Sequence, residues 1–151
     1  MVLPSIPPSP RPPDGLAIST VSDAAGVQTC RDLMTRGFEM PAEIVDRLIA
    51  DSILDDPAVR FVAGSVDATP VTCALVAVTG STAGIYNVAT PPEFRRRGYG
   101  AAVTWAAIEE GERLGSDHAA LQASELGAPI YRSMGFVDIG QYVQLEGPPA
   151  T

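Results

Sequence analysis

The spacing of apolar and polar positions divides the chain into strand-like and helix-like stretches with clear punctuation. Residues 16–21 alternate and carry β-branched side chains, which predicts a first strand. Val27, Cys30, Leu33 and Met34 then share one face of a helix that Ser22 or Asp23 can cap and Gly37 can stop. Pro41 suits the first turn of a second helix that turns Ile44, Val45, Leu48 and Ile49 inward and ends at Asp55, Asp56 and Pro57. Residues 59–64 and 71–78 predict two strands joined around Asp67, Ala68, Thr69 and Pro70, with the proline kept to the loop. After a turn over 80–83, residues 84–89 give a third antiparallel strand. A helix follows from Gly100 to about Leu114, with Tyr99, Val103, Ala106, Ala107 and Leu114 on its buried face, Glu109, Glu110 and Glu112 outward, and Gly115 as its stop. Residues 118–123 form a short buried strand, and a strand, helix, strand unit of this kind implies a right-handed parallel crossover. Pro129 opens a short helix that Gly135 ends, and residues 136–145 supply the last strands as a hairpin about Gly140.

This order predicts an α+β fold, a mixed, mainly antiparallel sheet of six to seven strands with flanking helices. Residues 14–146 make its single domain. Prolines at 4, 7, 8, 10, 12 and 13 predict a disordered tail over 1–13, and a second short tail is expected over 147–151.

Composition narrows the function classes. A chain of 151 residues, 46% hydrophobic and 19% charged, suits one folded domain. Asp and Glu number 18 against 10 arginines, and the formal charge of -8 argues against a nucleic-acid partner. Cys30 and Cys73 stand in apolar contexts without metal-ligand spacing, which predicts reduced core thiols and no metal. No apolar run approaches the length of a membrane span, and no export signal is read at the start, so a cytoplasmic protein without a membrane partner is expected.

The stretch with the most chemistry in it is GIYNVATPPEFRRRGYGA, residues 84–101. A strand running through a glycine-bearing turn into a helix start leaves backbone N–H groups unpaired at the positive end of the helix dipole, which is an anion site. The dinucleotide fingerprint does not fit, because the residue three after Gly100 is Val103. The phosphate loop of nucleotide hydrolases does not fit either, because the chain has no lysine. The pattern Arg/Gln-x-x-Gly-x-Gly/Ala does fit, at Arg95, Arg96, Arg97, Gly98, Tyr99 and Gly100. It resembles the acetyl-coenzyme A binding motif of GNAT-type N-acetyltransferases, and the later segment Tyr131, Arg132, Ser133, Met134, Gly135, Phe136 resembles that family's Tyr-x-x-x-Gly-Phe.

The resemblance covers roughly residues 14–145 and implies acetyl-CoA as co-substrate and an amine-bearing acceptor. It implies that the loop amides of Arg96 to Ala101 hold the pyrophosphate, that Arg95, Arg96 and Arg97 supply positive charge beside it, and that the backbone of Val88, Ala89 and Thr90 pairs with the pantetheine arm. It also implies that Tyr131 is the general acid for the departing thiolate; a half-buried helix tyrosine packing on the sheet is the competing account. A family carboxylate on the strand before the loop has no counterpart here, where Asn87 stands instead. Glu93, Glu125 and His118 are then the candidate bases, and Glu125 is favoured, with Ser124 beside it as a cofactor contact, because strand ends in open α/β sheets face the site. His118 entering an apolar strand reads first as a satisfied structural residue. The expected function is N-acetyl transfer by direct attack in a ternary complex. The alternative is a non-catalytic acyl-CoA-binding or sensing module of the same fold, and a proline-tail interaction domain is a third possibility. Edge strands of such a sheet offer a homodimer contact.

Overall fold

The computed structural model describes residues 1–141. Four helices, α1 (Ala24–Phe38), α2 (Ala42–Leu48), α3 (Tyr99–Arg113) and α4 (Ala128–Ser133), pack around strands β1 (Val2–Leu3), β2 (Leu16–Thr20), β3 (Val59–Val66), β4 (Thr69–Thr79), β5 (Thr82–Ala89) and β6 (His118–Leu121). The strands form one six-stranded sheet in the order β1-β6-β5-β4-β3-β2. β5 and β6 run parallel, as the α3 crossover requires, and the remaining pairs are antiparallel.

The sheet is covered on both faces. Val76, Ala83, Ile85, Ala119 and Leu121 pack with Val103 and Ile108 of α3 on one side. Phe61, Cys73, Leu75 and Ala89 pack with Val27, Cys30, Leu33 and Met34 of α1 and with Val45 on the other. Strand β4 is therefore buried on both faces from Val71 to Val76, with Thr72 the one polar side chain in that run. Asp23 caps α1 through its carboxylate, which accepts from the Gly26 amide at 2.8 Å. Cys73 Sγ lies 3.7 Å from the Cys30 carbonyl, and both cysteines are free and buried. Among the described residues no helix is long and apolar enough to cross a membrane.

Four expectations are corrected. Met1 to Leu3 is not a tail: Val2 and Leu3 pair with Ala120 and Ala119 at the sheet edge, and Leu3 is 3% exposed in the core. The prolines begin only at Pro4, so the residues before them keep their amides and their capacity to pair. Pro70 lies inside β4 opposite Ser65, at a register shift next to Gly64, where a bulge removes the need for its missing N–H. The β3–β4 turn is the tight pair Asp67 and Ala68, both at positive φ as a two-residue hairpin demands. In α2 only the Val45 and Ile49 side packs inward, and Ile44 and Leu48 are exposed. Of the predicted hairpin over 136–145, the described part makes one bridge, Val2 to Val137, and residues 142–145 lie outside the described residues, as does the tail 147–151.

Candidate active site

β5 and β6 are paired only from Thr82–His118 to Ile85–Leu121. β6 then ends, while β5 continues to Ala89 through a register shift against β4 that puts Asn87 at φ 53. A bulge bends its strand and re-aims the residues beyond it. The consequence is an open edge along Tyr86 to Ala89, whose main-chain groups on the β6 side have no strand partner among the described residues. The predicted pantetheine-facing residues Val88, Ala89 and Thr90 lie on or just past this open segment.

Past β5 the chain passes Pro91, makes a 3-10 turn over Pro92–Phe94, and reaches the arginines. Arg96 adopts φ 61 and Gly98 φ 80, and Gly98 is the N-cap of α3 without any side-chain cap. Left-handed residues interrupting a turn curl successive N–H groups toward one point, a concave anion-binding arrangement. None of the amides of Arg96, Arg97, Gly98, Tyr99, Gly100 or Ala101 donates to another described residue, and the next amide, Ala102, returns to Gly98 O. The six amides at the start of α3 are therefore unspent within the described residues. Gly98 supplies the positive φ, and a Cβ there would meet Pro13 at 3.3 Å.

The three arginines divide. Arg95 directs its guanidinium inward, donating to Thr90 O at 3.0 Å and Gly37 O at 2.8 Å, so it braces the loop rather than facing the cradle. Arg97 donates weakly to Glu93 O, and Arg96 is exposed. Tyr99 is buried and packs with Leu16 and Val71, which makes it a core residue.

Tyr131 is brought to the α3 side of the sheet. Its ring stands edge-on to Phe136 with centroids 5.9 Å apart, and it packs against the main core. A Cβ at Gly127 would come within 2.9 Å of the ring, so that glycine keeps its seat clear. Burial raises the phenol above its ordinary pKa, and the neighbouring Thr104 hydroxyl opposes the rise. Thr104 stands one turn past Gly100, to whose carbonyl it donates at 2.8 Å. The phenol therefore keeps its proton, beside Thr104 of α3.

The candidate bases are not brought together. His118 sits at the start of β6, the end away from the open edge, with Nε2 2.7 Å from Thr82 Oγ1 and Nδ1 2.5 Å from Asp117. This is the structural arrangement anticipated for a lone histidine. Glu93 is paired with Arg36, and its own backbone amide, then Arg36 and Arg95, hold its carboxyl below the usual range. Glu125 is exposed past the end of β6, in the turn that Ser124 begins, and both line a cleft with Tyr86, Gln122, Arg132 and Asp138. Sequence reasoning does not single out Tyr86; a tyrosine following Gly84 by two residues is the available signal.

Comparison with known proteins agrees with this geometry. A family model described as "Acetyltransferase (GNAT) domain" matches residues 53–138. Among solved structures, the aminoglycoside N-acetyltransferase AAC(6')-Iy with the bisubstrate analogue CoA-S-monomethyl-acetylneamine matches with TM-score 0.72 at 14% identity, over 88% of this chain and 98% of that one. A Clostridium acetobutylicum protein solved with acetyl-CoA matches with TM-score 0.70 at 17% identity, over 87% and 96%. A longer Pyrococcus horikoshii chain matches with TM-score 0.70 at 22% identity, and the match covers 83% of this chain but 44% of that one. At such identities the likeness is one of fold. A search of the curated proteins gives no match.

Proposed function

The chain belongs to the GNAT acetyltransferase family, and from that premise we propose that it transfers the acetyl group of acetyl-CoA to an amine by direct attack within a ternary complex. The observation that carries the proposal is the run of unpartnered amides from Arg96 to Ala101 at the start of α3, beside the open edge of β5. A diphosphate needs converging donors and a positive field, and that loop offers both.

Acetyl-CoA supplies a thioester already activated for attack by an amine. The chain's own part begins with holding it: the amides of Arg96 to Ala101 grip the diphosphate, Arg96 and Arg97 add charge beside it, and the main chain of Val88, Ala89 and Thr90 pairs with the amides of the arm. Fixing the donor in this way converts a bimolecular encounter into a positioned one. Tyr131 holds its proton near the first turn of α3, and burial keeps the phenol neutral, so it donates to the thiolate that leaves. No carboxylate stands on β5, so the acceptor amine enters deprotonated from water, and the proton its nitrogen sheds as the C–N bond forms and the C–S bond breaks passes through water to the tyrosinate that Tyr131 has become.

The proposal is tested by mixing the purified protein with acetyl-CoA and a panel of primary amines, following release of the CoA thiol and the mass of each amine. Acetylated product with stoichiometric thiol release is expected. Tight acetyl-CoA binding without transfer to any amine would replace this reading with the non-catalytic acyl-CoA-binding module.

A further inference from the structure

The face of the sheet opposite α3 carries a feature the acetyl-transfer reading does not use. Tyr86 pairs across the sheet with Leu75, which belongs to the α1 side, yet no helix covers it, and it is 54% exposed. Its ring folds back along its own strand over Gly84: a Cβ on Gly84 would lie 2.7 Å from Tyr86 Cε2, 2.8 Å from Oη and 3.0 Å from Cζ. Gly84 is buried, and its partner in the parallel pairing is Ala120, another small residue. The two make a shallow bed on which the ring rests. The cleft that opens there is lined by Tyr86, Ala120, Gln122 and Glu125, and by Arg132 and Asp138. Arg132 is answered by Asp138 at 2.9 Å. Glu125 forms no ion pair among the described residues, and the Met1 ammonium that also lines the cleft is spent on Leu121 O at 2.8 Å, so an unpaired carboxylate stands in the cleft with an exposed aromatic ring.

A ring and a carboxylate in one cleft recognise a cation. The amine that attacks a thioester must be neutral, so this recognition cannot be aimed at the reacting nitrogen. Resting on the acetyl-transfer reading above, we infer that the Tyr86–Glu125 cleft is the acceptor subsite, and that the acceptor is a primary amine carrying at least one further ammonium group, held over the Tyr86 ring and against Glu125. Glu125 on this account positions the acceptor and takes no proton.

The test compares cadaverine, a diamine, with n-pentylamine, which has the same chain and one amine. Acetyl-CoA affinity is measured separately by calorimetry for every variant. Tyr86→Ala and Glu125→Gln are expected to raise KM for cadaverine about tenfold each, to leave KM for pentylamine within about twofold, and to leave acetyl-CoA affinity unchanged. Tyr86→Phe keeps the ring and should behave as wild type, while Gly84→Ala, which displaces it, should resemble Tyr86→Ala. Equal losses on both amines in Glu125→Gln would make Glu125 a general base and overturn the inference. So would a wild type that binds acetyl-CoA and acetylates pentylamine but does not prefer cadaverine, or one that acetylates neither probe. Failure to bind acetyl-CoA at all would instead refute the acetyl-transfer reading beneath it.

Discussion

Replacing Gly98 with aspartate isolates the cradle from the rest of the molecule. Gly98 has φ 80 and caps α3 without a side chain, and a Cβ there meets Pro13 at 3.3 Å, a contact that must yield by a few tenths of an ångström. A non-glycine residue in this left-handed region costs roughly 1–2 kcal/mol. A carboxylate at the positive end of α3 returns about 0.5 kcal/mol through the helix dipole. Net destabilisation of about 1 kcal/mol is small against the roughly 5–15 kcal/mol that holds a domain folded, so the variant folds. Binding is affected far more. One added negative charge about 5 Å from a diphosphate charge, at an effective dielectric of about 20, costs about 3 kcal/mol, which is a loss of roughly a hundredfold or more in affinity. Calorimetry with acetyl-CoA reads the affinity, and a thermal melt confirms the fold. Gly98→Ala carries the same backbone strain without the charge and should lose much less. High salt should recover part of the aspartate deficit by screening. An aspartate variant that folds and binds acetyl-CoA with wild-type affinity would refute the cradle.

Tyr131→Phe should lower turnover by about a hundredfold, at the low end of what a general acid contributes, while acetyl-CoA affinity stays unchanged; equal turnover would reduce Tyr131 to packing. Because burial raises its pKa in the folded protein, the stability that Tyr131 contributes is fully present below the phenol's unfolded value and is lost as pH rises through the folded one, so melts taken above about pH 10 should fall less steeply for the phenylalanine variant. Leu3→Ala, removing a side chain 3% exposed in the main core, should cost about 3 kcal/mol and lower Tm by roughly 10 °C; an unchanged melt would mean that the β1 pairing is dispensable. His118→Ala should leave turnover and acetyl-CoA affinity within about twofold and cost about 1 kcal/mol for the lost Thr82 and Asp117 hydrogen bonds, and a large fall in turnover would make His118 a candidate base again.

The features legible in the sequence are those set close along the chain. Asp23 with its four apolar followers defines α1, and Gly98 with Gly100 marks the start of α3, because capping and local φ are set by neighbours a turn away. Periodicity identifies the apolar stripe of α2 but not which side of it finds a partner: a seven-residue helix buries Val45 and leaves Leu48 61% exposed. In α3 the buried face is wider than the stripe read from spacing. Thr104, Trp105 and Ile108 are buried as well, and the N-terminal segment runs along that helix, with Pro10 and Pro12 lining a groove beside Trp105. Proline density over residues 4–13 conceals the pairing of Val2 and Leu3, since a strand of two residues has no period to detect. The opening of β5 from β6 is hidden for a different reason. It arises where β6 stops at Leu121 and β5 bulges at Asn87, and neither event has a residue signature outside the sheet.

The same distinction explains why three adjacent arginines do different work. Gly37, near the end of α1, has no Cβ, and one placed there would come within 3.1 Å of Ala89 Cβ and 3.3 Å of the Thr90 amide. The helix therefore rests directly on the end of β5. Arg95 closes that contact by donating to both Gly37 O and Thr90 O, and Arg36, paired with Glu93 and 5.8 Å from the Phe94 ring centroid, closes it again from α1. The N-terminal flank of the loop is thus tied to α1 by two arginines before any anion arrives. Donors fixed in advance bind without the entropy of arranging a loop. Arg95 ties the end of β5 to α1, which is a reason for an arginine there distinct from charge: its planar fork reaches two carbonyls on different elements at once.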